Sequence, residues 1–249
     1  MSDRRITDAE VIREKIARHT TWYHRIELAP GVVTPGTHNS PQALKDLDEL
    51  GLPKNGKGLR VLDVGCRDGF FTFEMERRGA EVVAVDYATP ESTGFPIASE
   101  ILGSKAPYRV RNVYNLDPAE EGLYDVVLLL GVVYHLRNPM LALDRVRSVT
   151  KPGGLLFVES QVATQWTLWL TRTPVWQFYP RNSLKGDATN KWVPNLAGLK
   201  AAVAEAQFEV INSRPSRQRG YVVGRAVSDP YWEYIRTLDS SEGLFGKKA

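Results

Sequence analysis

The chain is poor in sulfur, in long apolar runs and in charge of one sign. One cysteine, Cys66, among 249 residues excludes an intramolecular disulfide framework and a multi-cysteine zinc ribbon, and it fits a reducing compartment, the cytoplasm by default. Net charge is +3, from 32 Lys+Arg against 29 Asp+Glu, too even a balance to nominate nucleic acid as the partner by itself. The greasiest stretch, Leu123 to Leu136, is broken by Asp125, Gly131 and His135 and is shorter than the roughly 18 residues that cross a bilayer. Asp3, Asp8, Glu10 and Glu14 stand where a signal peptide would place its apolar core. No membrane partner is expected. An apolar content of 43% with 20 Gly and 15 Pro is ordinary for a globular chain, and this length buries a core without metal or disulfide staples.

What is present alternates. Val11, Ile12 and Ile16 recur at helical spacing after a Thr7 or Asp8 cap, and Ala43 to Leu50 is a second helix. Between them Trp22 to Pro41 mixes aromatics, histidines, Pro and Gly, as an ordered, turn-rich segment does. Short apolar runs at Val61–Val64, Val82–Val85, Asp125–Leu130 and Leu155–Val158 have the continuity of parallel strands buried on both faces. Helices over Phe70–Arg78 and Leu141–Thr150 separate them, the second stopped by Lys151-Pro152-Gly153-Gly154. This order predicts an α/β, doubly wound, Rossmann-like sheet. A helix over Leu196–Ala206 and an antiparallel hairpin, Phe208–Ile211 with Tyr221–Val223, close it, joined by the basic connection Arg214 to Gly220. Residues 1–50 are expected as a helical lid segment, 51–228 as the main domain with a substrate-lid insertion at 160–194, and 229–249 as a tail. Four of the six tryptophans, Trp166, Trp169, Trp176 and Trp192, fall in that insertion.

The segment Val61-Leu62-Asp63-Val64-Gly65-Cys66-Arg67-Asp68-Gly69-Phe70 carries the chemistry. A strand entering a Gly-x-x-x-Gly turn before a helix lets backbone approach a ligand closely and points free amides at it. Asp86, ending the next strand about 20 residues on, stands where a carboxylate grips ribose hydroxyls. Nucleoside binding is the economical reading. Asp63 either meets the ligand or orders the loop, and Cys66 is a small buried spacer rather than a reactive thiolate.

These residues resemble the class I S-adenosylmethionine-dependent methyltransferase family. The strand Asp125–Leu130 with Gly131-Val132-Val133-Tyr134-His135-Leu136-Arg137-Asn138-Pro139 and the Lys151-Pro152-Gly153-Gly154-Leu155 run are similar to it as well. The resemblance implies a seven-stranded, mostly parallel sheet with a C-terminal antiparallel hairpin. It also implies S-adenosyl-L-methionine held by Asp63, Gly65, Cys66, Gly69, Asp86 and Gly131, with Asn112 and Val113 flanking adenine. Arg67 departs from it, since many members carry glycine there. Within the superfamily, the Gly131–Pro139 run, Trp22-Tyr23-His24 and Trp192-Val193-Pro194-Asn195 are similar to the group related to wobble-uridine tRNA carboxymethyltransferases, which also contains methyltransferases of small molecules and sugars.

The expected activity is therefore methyl transfer to a hydroxyl of a small polar acceptor, with a saccharide favoured because tryptophan-rich lids suit sugar faces. His135 is the first candidate base, since imidazole takes a proton near neutral pH. Glu159 and His24 are further catalytic candidates, although a lone histidine such as His24 is more often structural. Glu159 with His135 and another acid is also a candidate Mg2+ site. The tryptophans serve either as an acceptor platform or as packing. Arg172, Arg181, Lys185, Lys191 and the Arg214–Arg219 run either track phosphates or are solvated. Nucleic acid is therefore disfavoured but open. Modification of a tRNA wobble uridine and a non-catalytic cofactor-binding scaffold are the alternatives, and a homo-oligomer is compatible with the sequence.

Overall fold

Alternate strand residues divide between two apolar layers, as the two-residue period of a strand requires. In the computed structural model, which describes residues 6–163 and 172–228, Leu62, Val127 and Leu156 pack into one layer while Val61, Val126 and Phe157 pack into the other. The strands are β3 (Arg60–Val64), β4 (Glu81–Asp86), β5 (Tyr108–Val110), β6 (Tyr124–Leu130), β7 (Thr150–Gln161), β10 (Phe208–Ser216) and β11 (Arg219–Ala226). They form a seven-stranded sheet in the order β10-β11-β7-β6-β3-β4-β5. The pairs from β7 to β5 are parallel, and β11 pairs antiparallel with both β7 and β10. This is the expected Rossmann-like architecture. Helices α6 (Pro139–Ser148) and α7 (Leu196–Glu205) cover the first layer, α2 (Ser40–Glu49) and α3 (Phe70–Arg77) the second.

Three local expectations change. The connection read as Arg214 to Gly220 is mostly strand: Arg214 pairs with Tyr221 and Ser216 with Arg219, which leaves Arg217 and Gln218 as the turn. The strand expected from Leu155 begins at Thr150, and Lys151 to Gly154 lie within β7 as a bulge, where the register slips between Tyr124 opposite Thr150 and Val126 opposite Leu155. The lead-in is not all helix. After α1 (Ala9–Ala17), capped by the Asp8 carboxylate, it forms a hairpin of β1 (Glu27–Ala29) and β2 (Val32–Val33). Ile12, Trp22 and Leu28 join Phe73 and Phe95 of α3 and α4 (Phe95–Leu102) in a third apolar cluster.

The sheet order places β3 between β6 and β4, so the chain leaves β3 toward one side and later returns to the other. A crevice opens at the carboxyl ends of strands at such a reversal. The short α5 (Pro118–Glu121), the arm β8 (Trp176–Phe178) with β9 (Trp192–Pro194), and single 3-10 turns at Pro90–Ser92, Val113–Asn115 and Val133–His135 complete the described elements.

Candidate active site

The loop leaving β3 is built from left-handed residues: Gly65, Arg67 and Gly69 have φ of 77°, 50° and 90°. At Gly65 a Cβ would stand 2.4 Å from Val132 Cγ2, and at Gly69 it would strike the Phe73 and Phe95 rings. Glycine is therefore required at both positions by conformation and by space. The Gly65 and Cys66 N–H groups donate to Val85 O at 2.8 and 3.2 Å, and Arg67 N–H donates to Asp86 Oδ2 at 3.0 Å. Ala88 N–H donates to the other Asp86 oxygen at 2.9 Å, so the β4 carboxylate is fixed beside the loop. Arg67, at φ 50°, occupies a conformation that glycine would take without steric cost.

Asp63 is buried and accepts a hydrogen bond from Thr72 Oγ1 at 2.6 Å. Burial, with the Asp86 charge adding to it, pushes its carboxyl up to about 6 against the opposing Thr72 hydrogen bond. Cys66 is buried, and burial pushes its thiol well above the ordinary range, so it is a poor nucleophile at neutral pH. Asn112 spends its side-chain oxygen on Tyr114 N–H at 3.0 Å, and the Val113 side chain lies in the core. Val113 can face a ligand only through its backbone, whereas Asn112 is exposed and keeps its side-chain NH2 for one.

The carboxyl end of β6 supplies the second wall. Gly131 N–H donates to Glu159 O at 3.0 Å. The buried Glu159 carboxylate is bound by Arg219 through Nε and, at 2.6 Å, Nη2, and the guanidinium also lies over the Tyr134 ring at 5.0 Å. The proposed pairing of Glu159 with His135 around Mg2+ does not form, because the guanidinium already occupies both carboxylate oxygens. Among the described residues no group of three His, Cys, Asp or Glu is placed to hold a metal.

His135 Nδ1 lies 2.9 Å from Thr189 Oγ1, and Thr189 Oγ1 donates to Asp187 Oδ1 at 2.6 Å. Burial lowers the imidazole's pKa, with Asp187 opposing, so the ring is neutral near pH 7. His24 is more deeply set. Its ring contacts His38, Phe70 and Phe71, its Nδ1 has no hydrogen-bond partner, and burial holds it neutral. With Tyr23, His38, Gly131, Glu159 and Tyr221 it lines a cavity of ≈ 10 Å³, enough for about one water.

Four residues of this region escaped sequence reading. Asp68 is fully buried and accepts from Tyr23 N–H at 2.7 Å, His24 N–H at 2.9 Å and Gly94 N–H at 2.8 Å. It pins the lead-in to the loop, and its only sequence signal is an acid between Gly65 and Gly69. Arg219 sat in a basic run with nothing to single it out, and Asp187 and Thr189 in a polar stretch. The tryptophans, which the sequence leaves open between an acceptor platform and packing, are placed in part. Trp176 Nε1 donates to Gly198 O at 3.0 Å, and Trp192 Nε1 donates to Arg137 O at 3.4 Å while its ring packs against Phe178. Both are engaged in packing, and Trp166 and Trp169 lie outside the described residues. A larger groove, ≈ 1080 Å³, lies around Arg25, Phe73, Arg77 and Lys105 and includes none of these site residues.

Residues 37–213 match the family model described as a methyltransferase domain. The chain belongs to the class I S-adenosylmethionine-dependent methyltransferase family. This methyltransferase is 35% identical over 118 residues to a "Ubiquinone biosynthesis O-methyltransferase" of Xanthomonas campestris pv. campestris, covering 47% of this chain and 45% of that protein. A protein of the same name from Cereibacter sphaeroides is 33% identical over 136 residues, with 50% and 55% covered. The methyltransferase thus spans about half the length of the curated relatives it matches. Its fold is similar to the N-terminal domain of EvdMO1 with SAH bound, at TM-score 0.63 and 19% identity over 91% of this chain and 100% of that one. It is also similar to a Burkholderia thailandensis 1,6-didemethyltoxoflavin-N1-methyltransferase, at TM-score 0.56 and 17% identity over 76% and 77%. Among the described residues of the methyltransferase no helix is long and apolar enough to cross a membrane.

Proposed function

We propose that the chain transfers a methyl group from S-adenosylmethionine to a hydroxyl of a small polar acceptor, a saccharide being the favoured class. The observation that carries this reading is the placement of His135 in the turn Val133–His135 that follows β6, just past Val132, whose side chain lies against Gly65 of the left-handed loop. The cofactor supplies an electrophilic methyl on a sulfonium centre. The chain's residues fit it: Asp86, fixed by two backbone N–H groups, for the ribose hydroxyls; Asp63 for a cationic end; Gly65, Gly69 and Gly131 for close backbone approach. His135 takes the acceptor's proton, while Glu159 holds Arg219 in place and Tyr134 Oη, 3.4 Å from that guanidinium, offers its oxygen to an acceptor hydroxyl.

Two comparisons support this reading. The curated relatives carry the name O-methyltransferase, and EvdMO1's N-terminal domain was solved in the presence of SAH and D-fucose. Fold likeness alone does not carry an acceptor. The tRNA reading is weaker, because two cations of its basic track are spent internally: Arg214 pairs with Glu49 and Asp46, and Arg219 with Glu159.

The test is incubation with methyl-labelled cofactor and fractionated cell extract, including small sugars and tRNA as separate fractions. Label in a low-molecular-weight hydroxyl product is expected, and His135→Ala should lower its formation by about 10²–10⁴ while cofactor affinity holds. Label confined to tRNA would replace the acceptor. Cofactor binding with no labelled product in any fraction would favour the scaffold.

A further inference from the structure

We propose that Thr189 and Asp187 are positioning residues that hold His135 as its Nδ1–H tautomer and present a bare Nε2 to the acceptor hydroxyl. This rests on the function proposed above and adds what makes His135 a base. A hydroxyl has one proton. Thr189 Oγ1 lies 2.6 Å from Asp187 Oδ1, and an ionised carboxylate only accepts, so the Thr189 proton is committed to Asp187. The 2.9 Å contact to His135 Nδ1 must then be donated by the ring, and the second ring nitrogen keeps its lone pair. The opposite tautomer would set a lone pair against a lone pair.

The supporting loop is itself tied down. Thr189 N–H also donates to Asp187 Oδ1 at 2.8 Å, Asn190 N–H to Asp187 O at 3.3 Å, and Lys191 N–H reaches across to Tyr134 O at 2.9 Å. The residue before His135 and the residues beside Thr189 are therefore in register, with the Tyr134 and His135 rings 4.1 Å apart. Asp187's carboxyl is lowered by the Thr189 hydrogen bonds, which keeps it ionised at neutral pH. With the cofactor bound, the acceptor's O–H proton would pass to Nε2 and the electron pair of that bond would stay on oxygen to bond the methyl carbon, while the methyl–sulfur bond breaks and its pair goes to sulfur, leaving a neutral thioether. The resulting imidazolium is positive and faces Asp187 through the Thr189 hydroxyl, the arrangement that stabilises it.

The charged groups facing His135 are Asp187 and Glu159, which raise its pKa, and Arg219, which lowers it; burial lowers it most. Nitrogen-15 NMR of the full chain, with no ligand added, reads tautomer and titration directly among four histidines, with His135→Ala assigning the signal. The expected spectrum shows Nδ1–H, and Thr189→Val loses that preference while Thr189→Ser keeps it. Asp187→Asn, which retains an accepting oxygen but no charge, should move the His135 midpoint to lower pH. With the acceptor found in the labelling assay, Thr189→Val should lower kcat by about 10–100-fold at unchanged cofactor KM, with rescue by Thr189→Ser. An Nε2–H ring in the wild-type chain, or Thr189→Val with wild-type tautomer and kcat, would overturn the proposal. Full turnover by His135→Ala would instead overturn the base assignment itself, leaving the tautomer measurement standing.

Discussion

Buried single residues set the pH behaviour and the loop's tolerance. Asp63 has a folded pKa of about 6 against roughly 3.9 unfolded, so the folded state binds the extra proton. Its contribution to stability is full below about pH 4 and is lost as pH rises through about 6, a change on the order of 3 kcal/mol. Denaturant unfolding of wild type and Asp63→Asn across pH 4–7 measures it: the advantage of wild type should shrink by that amount, and parallel curves would show that Asp63 does not titrate there. Arg67 stands at φ 50°, where a Cβ costs roughly 1–2 kcal/mol that glycine avoids. Arg67→Gly is therefore expected to be more stable than Arg67→Ala by about 1 kcal/mol in the same assay.

One carboxylate joins three elements at the next scale up. Asp68 receives N–H groups from the lead-in and from the start of α4, so Asp68→Ala leaves three donors, two of them buried, without a partner. A loss of about 3 kcal/mol or more is expected, with hydrogen exchange accelerated at Tyr23, His24 and Gly94 rather than across the sheet. Uniform acceleration would show that the lead-in does not depend on this anchor. The same element shows what could be read from the sequence. Periodicity announced α1, α3, the strands β3, β4 and β6, and the loop with Asp86, because burial on regular elements writes its period into the residues. It was silent on β1, β2 and β5, three short strands of two or three residues, too short to show a period. It was equally silent on Asp68, Thr189 and Arg219, whose roles come from contacts 44, 54 and 60 residues away in the chain.

At the scale of the whole molecule, the candidate site draws its counter-ion from the C-terminal hairpin. The Glu159 carboxylate belongs to Arg219, so treatment with a chelator should leave methyl transfer unchanged; a loss restored by Mg2+ would require the guanidinium to be displaced. The Glu159–Arg219 contact also has a temporal side. Arg219 is made 60 residues after Glu159, and at about 5–20 residues per second that is roughly 3–12 s of translation. Until then β7 is an open edge, and its acid faces the crevice with no counter-ion. Assembly of the crevice is thus deferred until the hairpin of β10 and β11 has been made and docks on β7, bringing the counter-ion to that acid.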